Sequence, residues 1–117
     1  MKTVRTNVYV WFCLSKIADW TPLLSACSSG QVEVVSLLLD QPNINVNHSN
    51  NMKCTALHYG CSKQHPQIVE LLIERDADVN YRNKLNATPL HRAIANGNLN
   101  IIQRLMDAGA SVNAQDR

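Results

Sequence analysis

One string recurs along this chain at nearly constant spacing, and that recurrence limits what the chain can fold into. Thr88-Pro89-Leu90-His91-Arg92-Ala93 is preceded by Thr55-Ala56-Leu57-His58-Tyr59-Gly60, and that string in turn by Thr21-Pro22-Leu23-Leu24-Ser25-Ala26. The earlier interval is longer than the later one by a single residue. Behind each string comes an apolar block: Val34-Val35-Ser36-Leu37-Leu38-Leu39, Ile68-Val69-Glu70-Leu71-Leu72-Ile73, then Ile101-Ile102-Gln103-Arg104-Leu105-Met106. Asn47, Asn80 and Asn113 close the copies at equal intervals. The distance from the threonine to the first β-branched residue of its block is also the same in every copy (Thr21 to Val34, Thr55 to Ile68, Thr88 to Ile101). The extra residue of copy one therefore falls between Val34 and Asn47. Pro42, which the later copies lack, places it in the loop after the block. Short similar units cannot each enclose a core, so they must stack, and about three of them is a practical minimum for stability.

The local chemistry of each copy reads as two helices. Threonine is a good helix cap, and proline is tolerated at the first helical position because its missing N–H would have no partner there. Leu23, Ala26 and Cys27 recur three and four apart and form one face of a first helix, which Ser29-Gly30 should end. The second helix of copy one, from Val32 to Leu39, is apolar nearly all round, which predicts a helix sandwiched between neighbours. Copy two departs from this plan: Gln64 stands where Gly30 and Gly97 stand, and Pro66 should open the next helix. In the turn before each threonine, the position that favours positive φ holds Asp19, Lys53 and Asn86. Lysine suits that geometry least, so the hairpin before copy two is expected to be the least regular. Leu24 replaces the histidine found at His58 and His91, which removes a polar brace from copy one.

These strings resemble the ankyrin-repeat family, whose repeat of about 33 residues carries a T-P-L-H-x-A signature. The resemblance implies an all-α ankyrin-repeat solenoid of helix-turn-helix units joined by short β-hairpin loops. Copies are expected at about 17–49, 50–82 and 83–115 within a repeat domain spanning 17–117. Residues 1–16 fall outside the repeat and read as a leader or cap. The apolar run Val8 to Leu14 behind Lys2 and Arg5 is short for a signal peptide and lacks a small-residue cleavage site. The chain stops in the middle of the next hairpin, which reads as a boundary cut through an array.

A net charge of +2 with interspersed signs gives no footprint for nucleic acid and no polybasic membrane patch, so neither partner is expected. Of the four cysteines, Cys27 and Cys61 occupy the same small position of the first helix, while Cys13 and Cys54 do not. Buried small hydrophobes, a reducing compartment and a cytoplasmic location extending to the nucleus follow as expectations. Cys54, His58, Cys61 and His65 fall as C-x3-H-x2-C-x3-H. Both central members are already explained by the repeat and the spacing is not a usual structural zinc pattern, so no metal and no cofactor is expected. Asn47-His48-Ser49 and Asn86-Ala87-Thr88 match the glycosylation sequon by chance, since Thr88 serves as a cap. No strained nucleophile turn, phosphate loop or dinucleotide fingerprint is present, and the chain is not read as an enzyme.

What remains is recognition of another protein. The family resemblance implies a groove lined by first helices and hairpin tips. Its candidate partner-binding residues are Trp20, Ser28 and Ser29 in copy one, and Asn51, Met52, Tyr59, Ser62 and Lys63 in copy two. Copy three supplies Lys84, Leu85, Arg92, Ala95 and Asn96, with Tyr81 and Arg82 on the hairpin before it. Aromatic, Met and Arg side chains are typical interface anchors. Lys63, Arg82, Lys84 and Arg92 would make the groove positive and call for an acidic partner surface. The strings His58-Tyr59-x-x-Ser62-Lys63 and His91-Arg92-Ala93-x-x-x-Gly97-Asn98-Leu99 are more specific than the family consensus. They are similar to gankyrin-type ankyrin proteins. That similarity implies a monomeric assembly chaperone of the 26S proteasome regulatory particle, gripping the C-terminal domain of one AAA ATPase of the base. The L-x-C-x-E string of some members is absent here. A generic ankyrin scaffold or adaptor in signalling or transcription control is the competing reading, as is an ankyrin segment of a larger enzyme or channel.

Overall fold

The computed structural model describes residues 21–111. Residues 1–20 and 112–117, including the leader, Cys13, Asp19, Trp20 and Asn113, lie outside the described part. Within it six helices run in order: α1 (Pro22–Ser29), α2 (Val32–Leu39), α3 (Ala56–Ser62), α4 (Pro66–Glu74), α5 (Pro89–Asn96) and α6 (Leu99–Asp107). Each copy folds back on itself as a helix pair. The first helices α1, α3 and α5 then stack in one layer and α2, α4 and α6 in another. The described residues therefore form an all-α repeat fold, with the connecting hairpins closed as tight turns and no strand among them.

The caps appear where the sequence puts them. The Leu24 N–H donates to Thr21 Oγ1 (3.3 Å), and the Thr55 and Thr88 N–H groups donate to Nδ1 of His58 (3.1 Å) and His91 (2.9 Å). Pro22, Pro66 and Pro89 each open a helix. Gly30 and Gly97 end α1 and α5 with φ of 78° and 69°, and Gln64 adopts 60° in their place. The extra residue of copy one is taken up after α2, which stops at Leu39, whereas α4 and α6 run one equivalent position further, to Glu74 and Asp107.

Two expectations are corrected. The outer helix α2 is not enclosed all round, because Leu37 is 63% exposed and only Val35 and Leu39 are buried. Outer helices pack inward and sideways but leave their backs in water. The hairpin before copy two is as regular as the one before copy three, although Lys53 sits at φ 58° and Asn86 at 66°. The cause is a buried asparagine. Asn50 Oδ1 accepts from the Met52 and Cys54 N–H groups (3.0 and 3.1 Å), and Asn83 Oδ1 accepts from those of Leu85 and Ala87 (2.9 and 3.0 Å). The turn is thus closed by a side chain whatever residue takes the left-handed position.

Stacking is fixed by polar ties that cross from one repeat to the next. His58 Nε2–H donates to the Ala87 carbonyl (3.0 Å), a role that follows from Nδ1 accepting from Thr55. Asn47 Oδ1 accepts from the Asp78 N–H (2.7 Å), and Asn80 Oδ1 repeats the bond to Ser111 (2.9 Å). The core between these ties is aliphatic, with Leu24, Val35, Leu57, Ile68, Val69, Leu72, Ile101 and Leu105 almost fully buried. Cys27 and Cys61 lie in it at 0% exposure, and burial pushes both thiols up to about 12.

Candidate functional site

A cleft of about 250 Å³ opens between repeats two and three, on the face made by the first helices and hairpin tips. Its walls are Met52, Tyr59, Ser62, Lys63, Leu85 and Arg92, six of the residues predicted for partner binding, and Cys54, His58 and Asn83 also line it. The hairpin tips are joined by the Lys84 N–H donating to the Met52 carbonyl (3.0 Å), which sets Leu85 beside Met52. Asn83 Nδ2 donates to Cys54 Sγ (3.7 Å), and Asn50 Nδ2 donates to the Tyr59 hydroxyl (2.8 Å). Burial lowers the His58 pKa and raises that of Tyr59, so both are neutral near pH 7.

The other predicted residues divide into two kinds. Asn51, Lys84 and Arg82 are exposed at the tips, and the Arg82 guanidinium donates to the Asn86 carbonyl (3.1 Å). Ser28 and Ser29 lie on α1 outside the cleft, with the Ser29 hydroxyl donating to the Ser25 carbonyl (2.9 Å), and Ala95 is exposed on α5. Tyr81, Tyr59 and Asn96 are corrections to the expectation of side chains without packing duties. The Tyr81 hydroxyl donates to Ser49 Oγ (3.1 Å) while its ring meets His58 edge to face at 6.4 Å. Asn96 Nδ2 donates to the Cys61 and Ser62 carbonyls (3.3 and 2.9 Å), tying α5 to the end of α3.

Charge is segregated between the two layers. Among the described residues every carboxylate is on an outer helix or the loop after it: Glu33, Asp40, Glu70, Glu74, Asp76, Asp78 and Asp107. The two cations on that side are paired, Arg75 with Asp40 and Arg104 with Glu70 (2.9 Å). Lys53, Lys63, Arg82, Lys84 and Arg92 stand on tips or first helices, and no described carboxylate pairs with Lys53, Lys63, Lys84 or Arg92. Summed over the chain the charges nearly cancel; only stacking reveals that one face keeps the positive part. Cys54, His58, Cys61 and His65 are not brought together for a metal, since both ring nitrogens of His58 are engaged, Cys61 is enclosed and His65 packs against Gly30.

Comparison with known families gives the assignment. The description "Ankyrin repeats (3 copies)" matches residues 6–83, and "Ankyrin repeats (many copies)" matches 72–117. The chain belongs to the ankyrin-repeat family. Ankyrin repeats are in general non-catalytic protein-interaction modules. The chain is 41% identical over 61 residues to the Probable 26S proteasome regulatory subunit p28 of Saccharomyces cerevisiae, covering 51% of this chain and 27% of that protein. It is also 36% identical over 62 residues to Alpha-latrocrustotoxin-Lt1a of Latrodectus tredecimguttatus, covering 53% and 4%. It thus spans about a quarter or less of the length of these curated relatives. Among the described residues no helix is long and apolar enough to cross a membrane.

Proposed function

We propose that this ankyrin array grips an acidic surface of another protein on its cationic face, and that the partner is the C-terminal domain of one AAA ATPase of the proteasome base. The observation that carries the first part is the segregation of charge: Lys63 and Arg92 line the cleft with no described carboxylate partner. The second part is supported by the similarity to p28 and by the H-Y-x-x-S-K and H-R-A-x-x-x-G-N-L strings. The mechanism is steric. A bound array covers the ATPase domain and blocks premature docking onto the core particle, so the protein serves as an assembly chaperone, acting in the cytoplasm and nucleus. Rim charges contribute mainly to association rate and salt dependence, so complex formation should weaken as ionic strength rises.

A pull-down with each proteasomal ATPase C-terminal domain tests this reading. One domain should be retained by the wild-type chain and lost on Lys63→Glu with Arg92→Glu. Retention of none, or retention untouched by the reversals, would overturn it. The toxin match, in which these repeats cover 4% of a far longer protein, favours a second reading as a repeat segment of a larger chain. The mass of the endogenous protein on an immunoblot separates the two.

A further inference from the structure

We propose that the cleft between repeats two and three is an anchor pocket for one apolar side chain carried on an acidic protein segment. This rests on the interaction-module reading above but not on the proteasomal partner.

The side of the cleft made by the hairpin tips is apolar and uncovered. Met52 and Leu85 occupy equivalent positions on successive tips and are 47% and 59% exposed. Two bulky side chains held together at a surface by a backbone hydrogen bond cost free energy in water that an inserted apolar group would recover. Beneath them the floor is fixed: Asn83 closes its own hairpin and holds the Cys54 thiol, and Asn50 does the same for the previous hairpin and holds Tyr59. A pocket built on closed turns needs little reordering when filled, which favours a site that exists before its ligand arrives.

The rim supplies the second requirement. Lys63 and Arg92 line the helix side of the cleft, and Lys53 and Lys84 adjoin Met52 and Leu85 in the chain, all four without a described carboxylate partner. A plain polyanion would pair with these cations and leave Met52 and Leu85 wet. An uncharged apolar segment would cover the tips and leave the cations unanswered. Only a segment carrying carboxylates on both sides of an apolar residue uses both features at once.

The probe is a phage-displayed library of random dodecapeptides, panned against the folded chain. Enriched peptides are then made with a fluorescein label and titrated by anisotropy. The expected consensus places acidic residues on both sides of a Leu, Met or Phe. Replacing that residue by Ala should weaken binding about tenfold, and Leu85→Ala or Met52→Ala should do the same with no further loss on the Ala peptide. Arg92→Glu should reduce binding at least tenfold at low salt, with circular dichroism confirming that each variant folds. Enrichment of basic peptides, of acidic peptides lacking an apolar residue, of apolar peptides lacking acids, or of nothing would overturn the proposal. So would concentration-dependent self-association abolished by Leu85→Ala, which would give the cleft to a second copy of this chain. An acidic apolar consensus with no ATPase domain retained would leave the pocket standing and remove only the proteasomal partner.

Discussion

His58→Leu removes one side chain that closes a helix cap and ties two repeats together, and the chain contains its own control, since Leu24 fills the same position of copy one at 1% exposure. In the wild type the buried ring accepts from the Thr55 N–H (3.1 Å) and donates to the Ala87 carbonyl (3.0 Å). Leucine would leave the Thr55 N–H buried and unpaired, at about 1–3 kcal/mol, and would strip the Ala87 carbonyl of one of its two hydrogen bonds, the Asn83 N–H remaining at 3.0 Å, at about 0.5–1.5 kcal/mol. Added apolar burial returns about 1–2 kcal/mol. The expected net loss at pH 8 is about 1.5 kcal/mol, read from urea denaturation. Acid should shrink that difference. Burial lowers the folded-state pKa of His58 below its ordinary value of 6.5, so in the acid range the unfolded chain binds a proton that the folded chain refuses. The stability His58 contributes is therefore full above about pH 6.5 and falls as pH drops below it. The leucine variant lacks this contribution, since position 58 then carries no ionisable group. A difference under about 0.5 kcal/mol at pH 8, or one that grows from pH 8 to pH 5, would refute the reasoning.

Asn83→Ala should cost about 2 kcal/mol in the same assay, because the Leu85 and Ala87 N–H groups lose their acceptor, while Asn83→Asp, which keeps an acceptor, should cost less. Gly97→Ala should cost about 1 kcal/mol from its φ of 69° alone, as a Cβ there meets nothing within 4 Å. Gly30→Ala should cost about twice as much, since its Cβ would fall 2.6 Å from the His65 ring as well; equal losses in thermal melts would show that His65 moves aside at no cost. Gln64→Gly should raise stability by about 0.5–1 kcal/mol, because glycine takes the φ of 60° without strain.

The features legible in the sequence are those each repeat settles within itself. A threonine cap, a proline at the first turn and a left-handed helix end depend on residues close together in the chain, so Thr21, Thr55 and Thr88, with Gly30, Gln64 and Gly97, disclose their roles by position alone. Burial of Cys27 and Cys61 is also legible, because equivalent small residues mark equivalent contacts. Hidden are the ties that run between repeats. Asn80 is visible as a landmark but its bond to Ser111 is not, and Asn96 looks like a surface residue until stacking places it under the Ser62 carbonyl. Periodicity says which residues are equivalent, not which copy each one touches.

The same limit explains why the Lys53 turn looks irregular in sequence and why its regularity matters for the cleft. Judged alone, a lysine at φ 58° is a strained choice. Asn50 closes that hairpin with two bonds, and the tip it fixes presents Met52 and Lys53 next to each other, as Asn83 fixes the tip that presents Lys84 and Leu85. Both tips therefore pair a cation with an exposed apolar residue, Lys53 following Met52 and Lys84 preceding Leu85. A glycine at position 53 would relieve the backbone but subtract a charge from the face that has no carboxylate to spare it. The buried asparagine makes the less favourable residue tolerable, so the geometry of the recognition surface is set one layer below the residues that would touch a partner.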